Sequence, residues 1–345
     1  MSHRSINTTK RLVVWLLAVF VLLGCSDSAK EQLVGFDGST MGTSYSLRWV
    51  AKDDRQVAEI QQAVEERLAL INQQMSTYIP GSEVSRFNAL RLGEMLVSAE
   101  LASLVQRSQS ISEQTGGAFD ITVGPLVNLW GFGPEGRVVS APSADKIASL
   151  RTRVGYQKLG VSQNPPLLTK ATNLQVDLSA IAKGYAVDQL VSLLVGNGIN
   201  NYLVEIGGEL KLSGNKPNGE SWRIAIEAPL STERAAQQVL PISNIAMATS
   251  GDYRNYFEEN GVRYSHAINP LTGAPIKHAL VSVTVLHPSC ADADALATAL
   301  MVMGDEKGVE FAKHHDLAAY FLIKDQEGGE FVSFATARFD ELIKK

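Results

Sequence analysis

Residues 281–303 read VSVTVLHPSCADADALATALMVM. Val281, Val283 and Val285 alternate with Ser282 and Thr284, the period of two expected of a strand with one face buried. From Asp292 to Met303 the pattern is helical, and Leu317–Ile323 reads as a buried strand. Working outward, Trp222–Ala228 and Tyr202–Ile206 are strand-like, and residues 177–196 read as a turn feeding a helix with Leu190 and Leu194 inward, stopped by Gly196 and Gly198. Ser98 opens a helix that buries Leu101, Leu104, Val105 and Ile111 and ends at Gly116-Gly117. Asp54 to Gln74 carries Val57, Ile60, Val64, Leu68 and Ile71 at helical spacing, and Gly35 to Val50 predicts strand–turn–strand with breaks at Gly38 and Gly42. Strands and helices mix without strict βαβ alternation. That argues for an α+β, or irregular α/β, fold of mixed sheets with packed helices in one two-lobed unit.

The chain has 345 residues, 45% hydrophobic and 19% charged, enough to bury a large core. A net charge of −5 gives no reason to expect nucleic acid as a partner. Arg4, Lys10 and Arg11 precede an apolar run, Leu12 to Leu23, that stops at Gly24-Cys25. This is a secretory signal, too short for a comfortable membrane span. Leu22-Leu23-Gly24-Cys25 resembles a bacterial lipobox, which predicts lipidation of Cys25 as the mature N-terminus. A plain signal peptide, or a signal anchor with an incidental cysteine, is the alternative. The expected organisation is a signal peptide over 1–24, a lipid-anchored tether over 25–32 and one folded domain over 33–345 on the periplasmic side of the inner membrane. Ser26, not Asp, follows the cysteine, which leaves the outer membrane open as a destination. With Cys25 lipidated, Cys290 has no partner for an intramolecular disulfide.

Four segments suit chemistry. In 116–133, glycines permit close backbone approach to a ligand and aromatics could line a planar ring, or the stretch is an ordinary glycine-rich loop. In 176–185, Asp177 and Lys183 at a helix start suit a phosphate; otherwise Asp177 is an N-cap and Lys183 a surface charge. Asp294 and Thr298, four apart, share a helical face and are hard oxygen ligands suited to Mg²⁺, unless Asp292 or Asp294 merely caps the helix. In 249–273, His266 could serve as a general base or acid, with Asp252 and Arg254 close in sequence.

The strings AFDITVGPLVNLWGFG, VDLSAIAKGYAVD, YLVEIGGE, TSGDYRNYF, YSHAINPLTG and VSVTV…ADALATALMVMG, in this order, resemble the ApbE family of FAD:protein FMN transferases over roughly residues 34–340. The resemblance implies FAD contacts at Met41, Tyr78, Ala118, Phe119, Asp120, Asp177, Lys183 and Ile268. It implies Mg²⁺ ligands at Asp294 and Thr298, with a third at Ala180, where only the backbone carbonyl could serve. His266 would assist catalysis, with Asp252 and Arg254 beside it. The implied reaction moves FMN from FAD to a Thr or Ser hydroxyl of flavin-bearing subunits of membrane redox complexes, such as the sodium-pumping NADH:quinone reductase and its Rnf relatives, and releases AMP. An FAD-carrying lipoprotein, an Mg²⁺-dependent FAD pyrophosphatase and a structural or thiamine-pathway envelope protein are the competing readings.

Overall fold

A computed structural model describes residues 30–138, 140–227, 236–252, 256–259, 261–325 and 331–344. Cys25, Arg254 and the signal segment lie outside them. Along the chain run β1 (Gln32–Thr40), β2 (Thr43–Ala51), α1 (Val57–Met75), α2 (Glu83–Ala89), β3 (Gly93–Leu96), α3 (Ala99–Gln114), α4 (Gly124–Leu129) and α5 (Ala144–Arg151). Then come β4 (Leu159–Gln163), β5 (Pro166–Lys170), α6 (Ala182–Gly196), β6 (Tyr202–Ile206), β7 (Glu209–Ser213), β8 (Arg223–Glu227), β9 (Ala236–Pro241) and β10 (Ile245–Gly251). The chain closes with β11 (Tyr256–Glu259), β12 (Val262–Ser265), β13 (Ile268–Asn269), β14 (Ala274–Pro275), β15 (Leu280–His287), α7 (Cys290–His314), β16 (Ala318–Lys324), β17 (Phe331–Ala335) and α8 (Ala337–Ile343).

The frame is an antiparallel sheet of eight strands in the order β1-β2-β6-β7-β10-β15-β16-β17. Strand periodicity decides which layer each side chain joins. In β10, Ala246 and Ala248 enter the main core with Val283 and Val285 of β15, where α6 and α7 pack. Met247 and Leu286 point to the opposite face, where β8, β9 and α8 cover them with Trp222, Ile224, Leu240 and Phe339. The small side chains of β10 and of α7 (Ala293, Ala295, Ala297, Ala299) let the helix lie close on the sheet. A three-stranded sheet, β3-β5-β4, packs against α3, and a satellite cluster forms around Trp130. The α+β expectation holds. Among the described residues, no helix is long and apolar enough to cross a membrane.

One sequence expectation needs correction. Gly38 is not a break: it sits in β1 opposite Tyr45, and a Cβ there would collide with the Tyr45 ring. The glycine signals a close packing contact, not a turn. The turn is Met41-Gly42 alone, with φ of 51° and 74°, both in the left-handed region that two-residue hairpins of this twist require. The helix expected over Asp292 to Met303 does stop there, because Gly304 breaks α7 with φ 84° and ψ −174°. The segment after Gly304 returns to helix, which periodicity alone did not separate.

Candidate active site

The hairpin turn Met41-Gly42, the end of α1, residues 76–79 and the turn before α6 enclose a cleft of about 750 Å³. Met41, Tyr78, Asp177 and Lys183 all line it. A second cleft of about 390 Å³ shares Thr77 and Asp177 with the first and runs past Asn88, Gly124 and Gln175. Tyr78 is 67% exposed, an unusual setting for an aromatic ring, and its hydroxyl reaches toward the Phe132 carbonyl at 3.5 Å.

The turn that carries Asp177 is held from several sides. Asn88 donates to the Val176 carbonyl at 2.8 Å and accepts from the Val176 amide at 2.7 Å, while Asp177 N–H donates to the Ile121 carbonyl at 2.7 Å. Lys170 is buried among carbonyls and donates to Leu174 O at 3.0 Å, with burial lowering its pKa to about 8. Gly124 abuts the same turn, and a Cβ there would sit 2.7 Å from the Gln175 carbonyl oxygen. Asn88→Ala would strand two polar groups of the buried Val176 backbone, each costing about 1–3 kcal/mol. We therefore expect a lower urea midpoint and, with Asp177 displaced, weaker flavin binding in a fluorescence titration. Unchanged midpoint and binding would remove Asn88 from this role.

Asp177 is not an N-cap. Its Oδ1 accepts from Ser179 N–H at 2.9 Å within the turn, and Ile181, the cap position of α6, offers no side-chain acceptor. Nor is Lys183 a surface charge. Its Nζ lies 3.2 Å from Glu209 Oε2 and 3.8 Å from Asp294 Oδ2, and both acids are buried. Burial raises the Asp294 carboxyl above its ordinary range and raises Glu209 to about 8, with the Lys183 ammonium opposing both. Burial also works against the charge on Lys183, but Asp294 and Glu209 outweigh it and hold the lysine above its usual pKa. Two buried acids thus share one ammonium.

The capping alternative for Asp294 also falls away. Ser289 caps α7 by accepting from Asp292 N–H at 3.2 Å, and Asp292 pairs bidentately with Arg107 at 2.7 and 2.6 Å. Asp294 Oδ2 accepts from Gly184 N–H at 3.1 Å. As the third residue of α6, Gly184 has an amide with no acceptor inside the helix, and Asp294 supplies one. The Ala180 carbonyl lies just before the helix, four residues upstream of Gly184. The residues present fit Mg²⁺: one buried carboxylate, the half-buried Thr298 hydroxyl a turn along α7, and one backbone carbonyl. Among the described residues no three His, Cys, Asp or Glu side chains gather into a metal cluster, so a cation here rests on mixed oxygen donors.

Other expected residues take different positions. Phe119 is core, 2% exposed. Asp120 is buried and spends its carboxylate on Thr122 N–H at 2.8 Å, Thr122 Oγ1 at 2.7 Å and Tyr156 N–H at 2.8 Å. What Ala118, Phe119 and Asp120 could offer a ligand is therefore backbone; their side chains build the loop. Ile268 is buried in the cluster of Trp130, whose indole donates to Gly273 O at 2.8 Å. His266 lies edge-on to Phe132 with centroids 6.3 Å apart, which brings it to the loop that Tyr78 touches. Asp252 extends β10 by donating its N–H to Val281 O at 3.1 Å. Burial raises its carboxyl, and the charges of Arg263, His278 and His266 oppose that.

The family model of the ApbE family matches residues 41–321. This chain belongs to the ApbE family. It is 43% identical over 336 residues to the FAD:protein FMN transferase of Vibrio cholerae, covering 96% of this chain and 99% of that one. The FAD:protein FMN transferase of Escherichia coli is 39% identical over 341 residues, 96% of this chain and 97% of its own length. The crystal structure of Pseudomonas stutzeri flavinyl transferase ApbE, apo form, superposes with a TM-score of 0.83 at 43% identity and covers 91% of this chain and 98% of that one. Against this ApbE fold, the residue that sequence reasoning passed over is Glu209. It follows Gly207-Gly208 in the YLVEIGGE string, where a hairpin turn alone explains the pattern, and no local periodicity ties it to Lys183.

Proposed function

We propose that this chain is an FAD:protein FMN transferase that moves FMN from FAD to a Thr or Ser hydroxyl of a periplasm-facing acceptor and releases AMP. The observation that carries the reading is the hydrogen bond from Gly184 N–H, at the start of α6, to the buried Asp294, beside a cleft lined by Met41, Tyr78, Asp177 and Lys183. Membership of a family whose relatives bear that activity in their names supports it. Mg²⁺ held by Asp294, Thr298 and the Ala180 carbonyl would supply neutralisation of the pyrophosphate oxygens as the leaving group departs.

In the transfer, the acceptor hydroxyl oxygen forms a bond to the FMN-side phosphorus and the bond from that phosphorus to the AMP oxygen breaks. The chain's own part is positioning and charge. Lys183, in the first turn of α6, brings an ammonium and the positive end of a helix dipole to the cleft. The exposed Tyr78 ring covers one wall, suited to a planar isoalloxazine or adenine. His266 takes the hydroxyl proton, with Asp252 as the other candidate base and Arg254 adding positive charge. Met41 borders the cleft from the hairpin, and the backbone of Ala118–Asp120 and Ile268 completes the flavin contacts. Lipid on Cys25 holds the catalytic unit, residues 33–345, at the periplasmic face of the inner membrane. There flavin-bearing subunits of membrane redox complexes serve as acceptors at raised effective concentration.

The test mixes a soluble form beginning after Cys25 with FAD, Mg²⁺ and a periplasmic domain of a quinone-reductase flavin subunit. A fluorescent acceptor band on a denaturing gel, with an FMN adduct by mass that disappears with EDTA, is the expected result. FMN and AMP released to water from an unlabelled acceptor would mark a pyrophosphatase instead. Bound FAD with no product from several acceptors would mark a carrier.

A further inference from the structure

The Lys183 ammonium faces two buried carboxylates that are 4% and 5% exposed, and it stands nearer Glu209 (3.2 Å) than Asp294 (3.8 Å). Both acids are anchored. Asp294 is fixed by Gly184 N–H at 3.1 Å. Glu209 begins β7 straight after the Gly207-Gly208 turn, whose φ angles are 62° and 105°. That turn is pinned to the first hairpin: Gly207 N–H donates to Ser44 O at 3.0 Å, and a Cβ on Gly207 would sit 2.7 Å from Thr43 Cγ2. Lysine is the flexible member, with four rotatable bonds to the charge. Its ammonium stands in ion-pair range of both acids, closer to Glu209.

We propose that Glu209 is a positioning residue that draws the Lys183 ammonium away from Asp294 and so keeps that carboxylate open to a divalent cation. This rests on the cation site proposed above. Without Glu209 the half-buried lysine has Asp294 as its remaining close acid among the described residues, and a lysine seated there occupies the ligand oxygen and repels an incoming cation. Glu209 thus acts on the cation through Lys183, as a partner one shell out, and such partners typically change metal affinity about 10- to 100-fold. It does not itself touch the cation.

The test uses the full chain in detergent with Mn²⁺ alone as the probe, without FAD or acceptor, and reads free against bound Mn²⁺ by electron paramagnetic resonance. Glu209→Gln and Glu209→Leu should bind Mn²⁺ on the order of ten- to a hundredfold more weakly than the native chain. Adding Lys183→Met to Glu209→Leu should restore affinity to within a few-fold, because the competing ammonium is gone. A folded Glu209→Leu chain that binds Mn²⁺ as tightly as the native one overturns the proposal; if that variant does not fold by circular dichroism, Glu209→Gln decides by the same criterion. A double variant as weak as the single one also overturns it, since Glu209 would then be a ligand. A native chain that binds no Mn²⁺ sinks the cation-site reading and this inference together, whereas native binding with unaffected variants sinks the inference alone.

Discussion

Asp294→Asn should reduce FMN transfer on the order of a hundred- to a thousandfold at saturating FAD and fixed Mg²⁺, the rate equivalent of several kcal/mol of lost charge stabilisation. Asparagine keeps the shape and an oxygen for Gly184 N–H, so that hydrogen bond and the join between α6 and α7 survive. What goes is the one anionic ligand of the proposed cation site. Lys183 retains Glu209 at 3.2 Å, so no ammonium is left buried without a counter-charge. The unfolding midpoint should accordingly move far less than the activity. Thr298→Val, which removes the neutral ligand proposed on the same helical face, should lose about tenfold, and raised Mg²⁺ should recover part of it. The adduct is counted by mass on the acceptor. An Asp294→Asn chain that keeps more than a tenth of native transfer would take Asp294 out of the cation site.

Gly184→Ala is the second large effect, and here two opposing terms can be compared. Alanine in place of glycine inside a helix stabilises by roughly 1 kcal/mol from propensity alone. Against it, a Cβ at 184 would overlap the Cys290 carbonyl oxygen and lie 2.9 Å from Ala291 Cα, both backbone atoms at the start of α7. Neither can swing away as a side-chain end could. Relief requires α6 and α7 to part, and overpacking of this kind costs about 1–3 kcal/mol, occasionally more. The steric term wins: we expect a net loss of stability in urea with an unchanged m-value, and a larger loss for Gly184→Val. Because the same residue supplies the amide that fixes Asp294, Mn²⁺ affinity should fall with it. A Gly184→Ala chain more stable than the native one would show that the helices do not meet here.

Much of the architecture was legible locally. The strand Tyr202–Ile206 appears with the bounds its alternation indicated, Ser98 caps α3 as its side chain suggested, and the helix expected to Met303 ends where Gly304 turns the backbone. These features depend on periodicity and on the conformational range of single residues, both written along the chain. Short or irregular strands such as β4, β9 and β13 were not legible, because their few residues carry too little alternation to stand out.

The mixing of strand and helix patterns determined the α+β class, and the ordered motifs the family and the short set of polar residues worth watching, Asp177, Lys183, His266 and Asp294 among them. Tertiary structure decided what each does. Gly38 and Gly42 look alike in sequence, yet one packs under Tyr45 in a strand and the other makes the turn. Asp120 and Asp177 both stand in glycine- or alanine-rich motifs, yet Asp120 is used up inside its own loop while Asp177 borders the cleft. Lys183, Glu209 and Asp294 come from α6, β7 and α7, and only the packing of those elements brings one ammonium between two acids. The physical reason is general: periodicity records which face of an element is buried, but not which other element will cover it. A charge's partner, and hence its role, is set by that second fact.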